Sequence, residues 1–484
     1  MESNNSELKG VKIDKSIVGH FRYKKVEDKY LITNDFGYFE FLSVSEFKKY
    51  IQGELEKDSD LYLKLKKKGF LKIGKEEDLI TRMAEKNRRL KAGPSLHIVV
   101  PTMRCNYNCI YCQASAEKMD SKNLDMDIVT ARKVVDRIFQ SKTGGMITIE
   151  FQGGEPMANW EVVEFITEYA RGLEEEIRGN IELRFSLVTN LSLMTEERLN
   201  FLIDNGVRIC TSLDGPKHLQ NKNRPFSDGD SYEEITRWTE KNNEIDKKRD
   251  EPVPPINALL TISKFSLDKY KEIIDEYRKF DFPGIHLRPL SNLGKSGGEA
   301  KDKIGYSVNE FMEFWRNSMD YILKINKEGE FFSERGSTIK LTKILGDKDP
   351  GYTDLASPCG AVIGQVVYDH NGDIYTCDEG RMLDEDIFKL GNVDDMSYEE
   401  MINSDTCKAM IDASLLENQP CDLCVYKPYC GVCPVKNYGV EGNLFPQIRD
   451  TEWCKIRTAQ FEYLFSKLKD KKNQSIFKEW VKKG

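Results

Sequence analysis

The sequence predicts an α/β protein: a partial (β/α)6 barrel, preceded by a winged-helix-like module and followed by a cysteine-rich domain. Three observations carry this. Six apolar, strand-like runs alternate with amphipathic stretches between Leu96 and Leu290, as in a parallel sheet built from βα units. Ahead of them, three short strand-like runs and two helical ones fit between residues 16 and 75. Behind them, eight of the twelve cysteines fall between Cys359 and Cys454.

In the first module the runs "HFRYKKV", "KYLITND" and "GYFEFL" read as strands, the last two joined by a turn at Asn34–Gly37. A helix follows from Ser43, with Ser43 and Glu46 spaced for a capping box. A second helix is expected at "DLYLKLKKKGFL", and "RRLKAGPS" reads as the linker onward. The six barrel strands are expected at 96–100, 146–151, 181–188, 207–213, 256–262 and 284–290. Their near-continuous hydrophobicity suggests burial on both faces. Ser231 with Glu234, and Ser307 with Glu310, mark two helix starts. Six units over residues 95–305 suit an open barrel better than a closed eightfold one, and ligands in such folds gather at the C-terminal ends of strands. A helical connection (306–358), the cysteine-rich domain (359–460) and a basic helical tail (461–484) complete the expected order.

With 39% hydrophobic and 31% charged residues the composition is that of a soluble globular protein. The opening residues show no signal-peptide pattern, and no run reaches about 18 apolar residues; the expectation is a cytoplasmic protein with no membrane partner. A formal charge of -8 argues against a broad nucleic-acid surface. In a reducing compartment the cysteines point to metal or redox chemistry rather than disulfides. Only five histidines are present, so thiolates would dominate any metal site.

Directly after the first strand, "MRCNYNCIYCQAS" places Cys105, Cys109 and Cys112 at C-x3-C-x2-C spacing. Three thiols exceed a disulfide and fall short of a closed tetrahedral zinc site or a four-cysteine cluster. Either a fourth ligand comes from elsewhere, or one metal position is left open. A [4Fe–4S] cluster held by three thiolates leaves one iron free for the amino and carboxylate groups of S-adenosylmethionine (SAM), whose reductive cleavage gives a 5'-deoxyadenosyl radical. Tyr111 precedes the last cysteine and is placed to cover the adenine. "FQGGEP" ends the second strand, with Gly153 and Gly154 permitting close backbone approach and Glu155 suited to an ammonium group. Ser186 and Asn190 in "FSLVTN", and Ser212 and Asp214 in "SLDG", stand at later strand ends and suit a ribose and a carboxylate; Arg224 is placed to pair with that carboxylate.

In this order, the cysteine triad, GGEP and SLDG resemble the radical SAM superfamily over roughly residues 95–300. The superfamily commonly has TNG where this chain has Thr189-Asn190-Leu191. Farther on, Cys359 and Cys377 flank Gly372 in a C-x12-G-x4-C pattern, and "CDLCVYKPYCGVC" and Cys454 follow. These seven cysteines resemble the SPASM extension of radical SAM enzymes that modify peptides and proteins. The resemblance implies three [4Fe–4S] clusters in all. Cys359, Cys377 and Cys433 would serve auxiliary cluster I, with Cys407 as a possible fourth ligand, the alternatives being a reactive thiol or an open iron. Cys421, Cys424, Cys430 and Cys454 would serve auxiliary cluster II. Cys210, alone in an apolar strand, reads as a small buried hydrophobe. Asp378, directly after Cys377, matches the base of sulfatase-maturing relatives.

The 16–75 module resembles the leader-recognition elements of peptide-modifying enzymes, which add a peptide as a strand at a sheet edge. "LITNDFGYFEFLS" and "CGVCPVKNYGVEG" look most like maturases of His-Xaa-Ser peptide systems and like thioether-forming SPASM enzymes. The expectation is an enzyme that crosslinks a ribosomally made precursor peptide, drawing electrons from a flavodoxin or ferredoxin. A formylglycine-generating sulfatase maturase, and a non-catalytic iron–sulfur or zinc protein, are the alternatives.

Overall fold

The structure, a computed structural model, describes residues 8, 11–72, 77–141, 145–177, 180–294, 299–346, 349–383 and 385–484. The expected N-terminal module extends to residue 75, and its last three residues lie outside those described.

That module is an antiparallel sheet of β1 (Arg22–Val26), β2 (Lys29–Thr33) and β3 (Phe39–Ser43), in that order. Gly37, at φ +78°, closes the β2–β3 turn by donating to the Asn34 carbonyl at 2.9 Å. Helices Val44–Ile51 and Asp60–Lys67 follow, the first with the expected Ser43–Glu46 capping box. Tyr30, Ile32 and Leu42 pack with Phe47, Tyr50 and Leu65 between sheet and helices.

Six parallel neighbours then run in chain order: β4 (Leu96–Thr102), β5 (Gly145–Gly153), β6 (Ile181–Val188), β7 (Val207–Ser212), β8 (Asn257–Thr261) and, past the short β9 (Gly284–Ile285), β10 (Leu287–Arg288). The last expected strand, 284–290, is divided in two. At His286 the chain makes a three-residue turn, Arg288 N–H donating to the His286 carbonyl at 2.9 Å. β9 leaves the barrel to pair with β11 (Ser333–Glu334), which comes so close that a Cβ on Gly284 would lie 2.5 Å from the Ser333 carbonyl oxygen.

β4 is apolar and buried on both faces, Val99 packing on one side and Ile98 and Val100 on the other, whereas β5, β6 and β7 alternate. Ile147, Ile149 and Phe151 of β5 and Phe185 and Leu187 of β6 point outward into the layer that includes Val134, Val135 and Ile138 of helix Ile128–Gln140. Glu150, Gln152 and Ser186 take the intervening, inward positions. An open barrel keeps a polar lumen, and a period of two follows.

β12 (Gln365–Tyr368) extends this sheet beyond β4, in parallel register from Gln365 opposite Leu96. β13 (Asp373–Tyr375) and β14 (Lys389–Asn392) continue it antiparallel. The cysteine-rich region thus covers what would be an exposed edge of the barrel. Helix Glu452–Lys467 runs across residue 460, and helix Lys471–Lys483 buries Phe477 and Trp480, so the basic tail is amphipathic and docked. The helix expected at Ser231 is capped by Asp230, with Ser231 its first residue, because the Asp230 carboxylate accepts from both Tyr232 and Glu233 N–H while Ser231 Oγ donates to Asn221. Ser307 and Glu310 form the expected box.

Candidate active site

The loop carrying Cys105, Cys109 and Cys112 leaves the C-terminal end of β4 and is fixed through its backbone. Cys105 N–H donates to Glu117 at 2.7 Å, Asn108 to Pro225 at 3.0 Å and Ile110 to Asn223 at 3.0 Å. From the other side Gly154 N–H donates to Thr102 at 2.9 Å and Glu155 N–H to Arg104 at 2.8 Å. This explains the two glycines. Gly153 sits at φ +127°, where a Cβ would also meet the Thr102 carbonyl at 2.5 Å. A Cβ on Gly154 would fall on the carbonyl oxygens of Met103 and Arg104. The close approach that these glycines permit is to the cysteine loop itself.

Glu155 is 1% exposed and uses both carboxylate oxygens within the protein. One accepts from Thr189 Oγ1 at 2.7 Å and Met157 N–H at 3.1 Å, the other from Asn190 N–H at 2.8 Å. Burial pushes its pKa up. Asn190 Nδ2 donates to Asn106 at 3.0 Å and lies 3.9 Å from Cys105 Sγ, while its oxygen accepts from Ser192. Leu191 takes φ +65° in place of the glycine of TNG and buries its side chain completely.

Tyr111, Asp214 and Arg224 meet in one buried knot. The Tyr111 hydroxyl donates to Asp214, so the phenol is turned into the wall. Asp214 also accepts from Asn223 Nδ2 at 3.1 Å and Thr261 N–H at 3.3 Å. Arg224 lies over the Tyr111 ring at 5.1 Å, 3.4 Å from Asp214, and its Nη1 stands 3.9 Å from Cys109 Sγ. The expected carboxylate-binding arginine is therefore a cation beside a cysteine. Burial pushes the thiol of Cys105 up to about 12 and that of Cys109 to about 11; coordination to a metal would reverse this.

Ser186 and Ser212 occupy inward positions of β6 and β7. They share the lumen with residues not singled out from the sequence. Gln152 donates to Glu150 at 2.5 Å, and burial raises the Glu150 carboxyl, with Asp378 adding repulsion and Arg288 partly offsetting it. Cys210, expected to be a small buried hydrophobe, is instead half-buried on the inward face of β7 beside Ser212, and burial pushes its thiol to about 12. Alternating polar residues in "TIEFQ" were the available signal. Asp378 pairs at 3.1 Å with Arg381, whose Nη1 lies 3.3 Å from Met103 Sδ in the cysteine loop.

The remaining cysteines form two groups. Cys359, Cys377 and Cys433 share one buried cluster. Cys421 feels the charges of Cys430, Cys424 and Cys454, which places those four together. Cys407 joins neither group: it packs with Leu390, Val393 and Met401 under the barrel. Cations are buried around both groups. Lys436 pairs with Asp354 at 3.2 Å and Glu379 at 3.8 Å, and Lys436 and Arg457 lie over Trp453 at 4.2 and 4.4 Å.

A model of the radical SAM superfamily matches residues 99–253, and a model of the SPASM iron–sulfur cluster-binding domain matches residues 359–433. The chain carries a radical SAM domain followed by a SPASM domain. A cysteine-type anaerobic sulfatase-maturating enzyme of Clostridium perfringens (strain ATCC 13124) is 26% identical over 389 residues, 77% of this chain and 97% of that protein. The structure of native anSMEcpe with bound AdoMet and Kp18Cys peptide superposes with a TM-score of 0.65 at 22% identity, covering 79% of this chain and 100% of that one. Streptococcus suis SuiB bound to S-adenosylmethionine covers 90% of this chain and 98% of its own, with a TM-score of 0.54 at 15% identity; it is also solved with precursor peptide SuiA.

The cysteine groups of this radical SAM enzyme fit iron–sulfur clusters on chemical grounds. Every donor in the groups is a cysteine sulfur, and an all-thiolate set is the soft ligand set that iron–sulfur clusters take. Near Cys359 the buried Arg89 Nε and Nη1 make no hydrogen bond, and Arg224 Nη1 stands 3.9 Å from Cys109 Sγ. Such orphaned cationic donors suit a buried anionic group. Among the described residues no helix is long and apolar enough to cross a membrane.

Proposed function

We propose that this enzyme matures a ribosomally made precursor peptide, binding its leader on the 16–75 module and crosslinking a core residue in the barrel lumen. One observation carries the reading. The module's sheet has two edges, β1 and β3, each paired on one side only among the described residues, and the whole sheet is seated on the SPASM domain. On β3 the Phe39 carbonyl accepts from Lys68 Nζ at 2.7 Å, and the Phe41 and Ser43 N–H groups donate to the Glu40 and Glu46 carboxylates at 3.2 and 2.7 Å, so a peptide adding there would displace side chains, as strand addition at a sheet edge allows. The chain also exceeds the sulfatase-maturating relative in length while covering nearly all of it, and the SuiB structures, one with a precursor peptide, span more of it.

In this reading Cys105, Cys109 and Cys112 would hold a [4Fe–4S] cluster to which SAM would bind. When bound, cluster and SAM together supply a 5'-deoxyadenosyl radical. Arg224 balances the charge at Cys109. Glu155, Gly153 and Gly154 hold the loop against the turn at Asn190, while Tyr111, Asp214, Ser186 and Ser212 shape the nucleotide side. Asp378, held by Arg381, faces the lumen and accepts the proton lost beside the abstracted hydrogen. Cys359, Cys377 and Cys433, and Cys421, Cys424, Cys430 and Cys454, would hold two auxiliary clusters, which would supply one-electron redox chemistry beside the lumen. A flavodoxin or ferredoxin is the electron donor.

Incubation of reduced enzyme with SAM and short peptides encoded beside its gene is expected to yield 5'-deoxyadenosine and a product lighter by two hydrogens per crosslink. Deoxyadenosine without any change in peptide mass would sink the peptide assignment. Formylglycine formation is the second reading, favoured by the sulfatase-maturating relative and by Asp378 after Cys377. A sulfatase peptide carrying Cys or Ser separates the two: it is expected to emerge unmodified.

A further inference from the structure

Auxiliary group I has three thiols, and the spare cysteine of the region, Cys407, lies in a different cluster. A four-iron cube needs a fourth donor, or presents an open iron to substrate. Two carboxylates stand at this group. Asp354 lies in the turn Thr353–Leu355, which is pressed between the chain on both sides of the cysteines. A Cβ on Gly360, next to Cys359, would meet Thr353 atoms at 3.1–3.3 Å. A Cβ on Gly431, two residues before Cys433, would meet the Asp354 carbonyl at 2.8 Å and that of Ala356 at 2.6 Å. Lys436, three residues after Cys433, holds Asp354 at 3.2 Å and reaches Glu379 at 3.8 Å.

We propose that the Asp354 carboxylate is the fourth ligand of auxiliary cluster I, oriented and charge-balanced by Lys436. The inference rests on the reading that Cys359, Cys377 and Cys433 hold that cluster. Carboxylate is a harder donor than thiolate but an ordinary ligand for iron, and a protein-closed cluster has no vacant iron for a substrate thiolate. The cluster then serves electron transfer, and the substrate class shifts from cysteine thiols toward carbon–carbon or carbon–oxygen crosslinks.

The test uses full-length protein in which Cys105, Cys109 and Cys112 are replaced by Ala, so that only the C-terminal clusters load. Cyanide is the probe, read by EPR of the dithionite-reduced protein, with iron and sulfide counted in every sample. The parent is expected to be indifferent to cyanide. Asp354→Ala is expected to acquire a cyanide-dependent signal or to lose the iron of one cluster, about four atoms per chain, and Asp354→Cys to restore both the iron and the indifference. Glu379→Gln is expected to match the parent. A parent that itself answers to cyanide, an Asp354→Ala protein indistinguishable from it, or a response confined to Glu379→Gln would each overturn the assignment, as would Asp354→Cys losing iron to the same extent as Asp354→Ala. Absence of C-terminal iron even in the parent would overturn the underlying cluster reading, and the ligand with it, a result distinguishable from all the others by the metal count alone.

Discussion

Gly154 shows how a motif residue is recognisable while its partner is not. The sequence pointed to a close backbone approach at "FQGGEP", and the neighbour turned out to be the cysteine loop, because backbone carbonyls of residues 102–104 cannot be placed from sequence. Gly154→Ala would drive its Cβ onto two carbonyl oxygens, which neither glycine neighbour can yield without dragging the loop. The expected result is a folded protein with a melting point lowered by several degrees, for a loss of about 1–3 kcal/mol, and with the iron of the first cluster selectively missing; a normal iron count would refute this account. Leu191 is the converse. It holds a left-handed conformation at a cost of roughly 1 kcal/mol, yet its side chain is fully buried among apolar neighbours. Leu191→Gly relieves the backbone and empties the pocket, and since the second effect is about 2–5 kcal/mol, the net change is expected to be destabilising, measured by denaturant unfolding. The Tyr111–Asp214–Arg224 knot was legible as three residues and illegible as a knot, for it joins a loop to a strand end 103 positions away.

At the scale of elements, local signals carried furthest where the physics is local. The capping boxes at Ser43 and Ser307 stood where the spacing placed them, since a cap depends on four consecutive residues. Ser307→Ala is expected to cost about 1 kcal/mol. The division of the last barrel strand was not legible, because β11 draws β9 away from a distance of about fifty residues in the chain. That kink leaves His286 half-buried, its pKa lowered well below the usual value by burial first and then by Arg288, Lys340 and Arg335. The folded state refuses a proton that the unfolded chain accepts, so stability is expected to fall as pH drops below about 6.5, at up to about 1.4 kcal/mol per pH unit. Urea unfolding between pH 7.5 and 5 checks this against His286→Gln, whose profile is expected to be flatter in that window; parallel profiles would show that other groups set the acid limb.

Across the whole molecule, the module, barrel and cysteine-rich domain form one path rather than three beads. Thr33 Oγ1 donates to the Val425 carbonyl at 2.8 Å, and Arg22 Nε donates to the Asp422 carbonyl at 2.7 Å while its Nη1 pairs with Asp35 at 2.7 Å. Phe39 meets Phe465 edge-on at 5.3 Å, and Leu31 joins the cluster of Tyr426, Tyr429 and Phe461. Such contacts, almost four hundred residues apart, leave no mark in local sequence, so the existence of the module was readable and its seat was not. The seat matters because Asp422 and Val425 flank Cys424 in the four-cysteine group. A loop poor in apolar core depends on its metal for shape, so iron in that group should hold the floor under β1–β3. Hydrogen exchange of residues 22–43 is therefore expected to quicken when iron is chelated, with residues 145–153 of the barrel less affected. Arg22→Ala, which strips the Asp422 carbonyl and Asp35 of a buried donor at a cost of about 1–3 kcal/mol, is expected to reproduce that quickening in fully loaded protein. Unchanged exchange in both samples would mean that the sheet keeps its place without the cluster, and that peptide capture and electron transfer are mechanically independent.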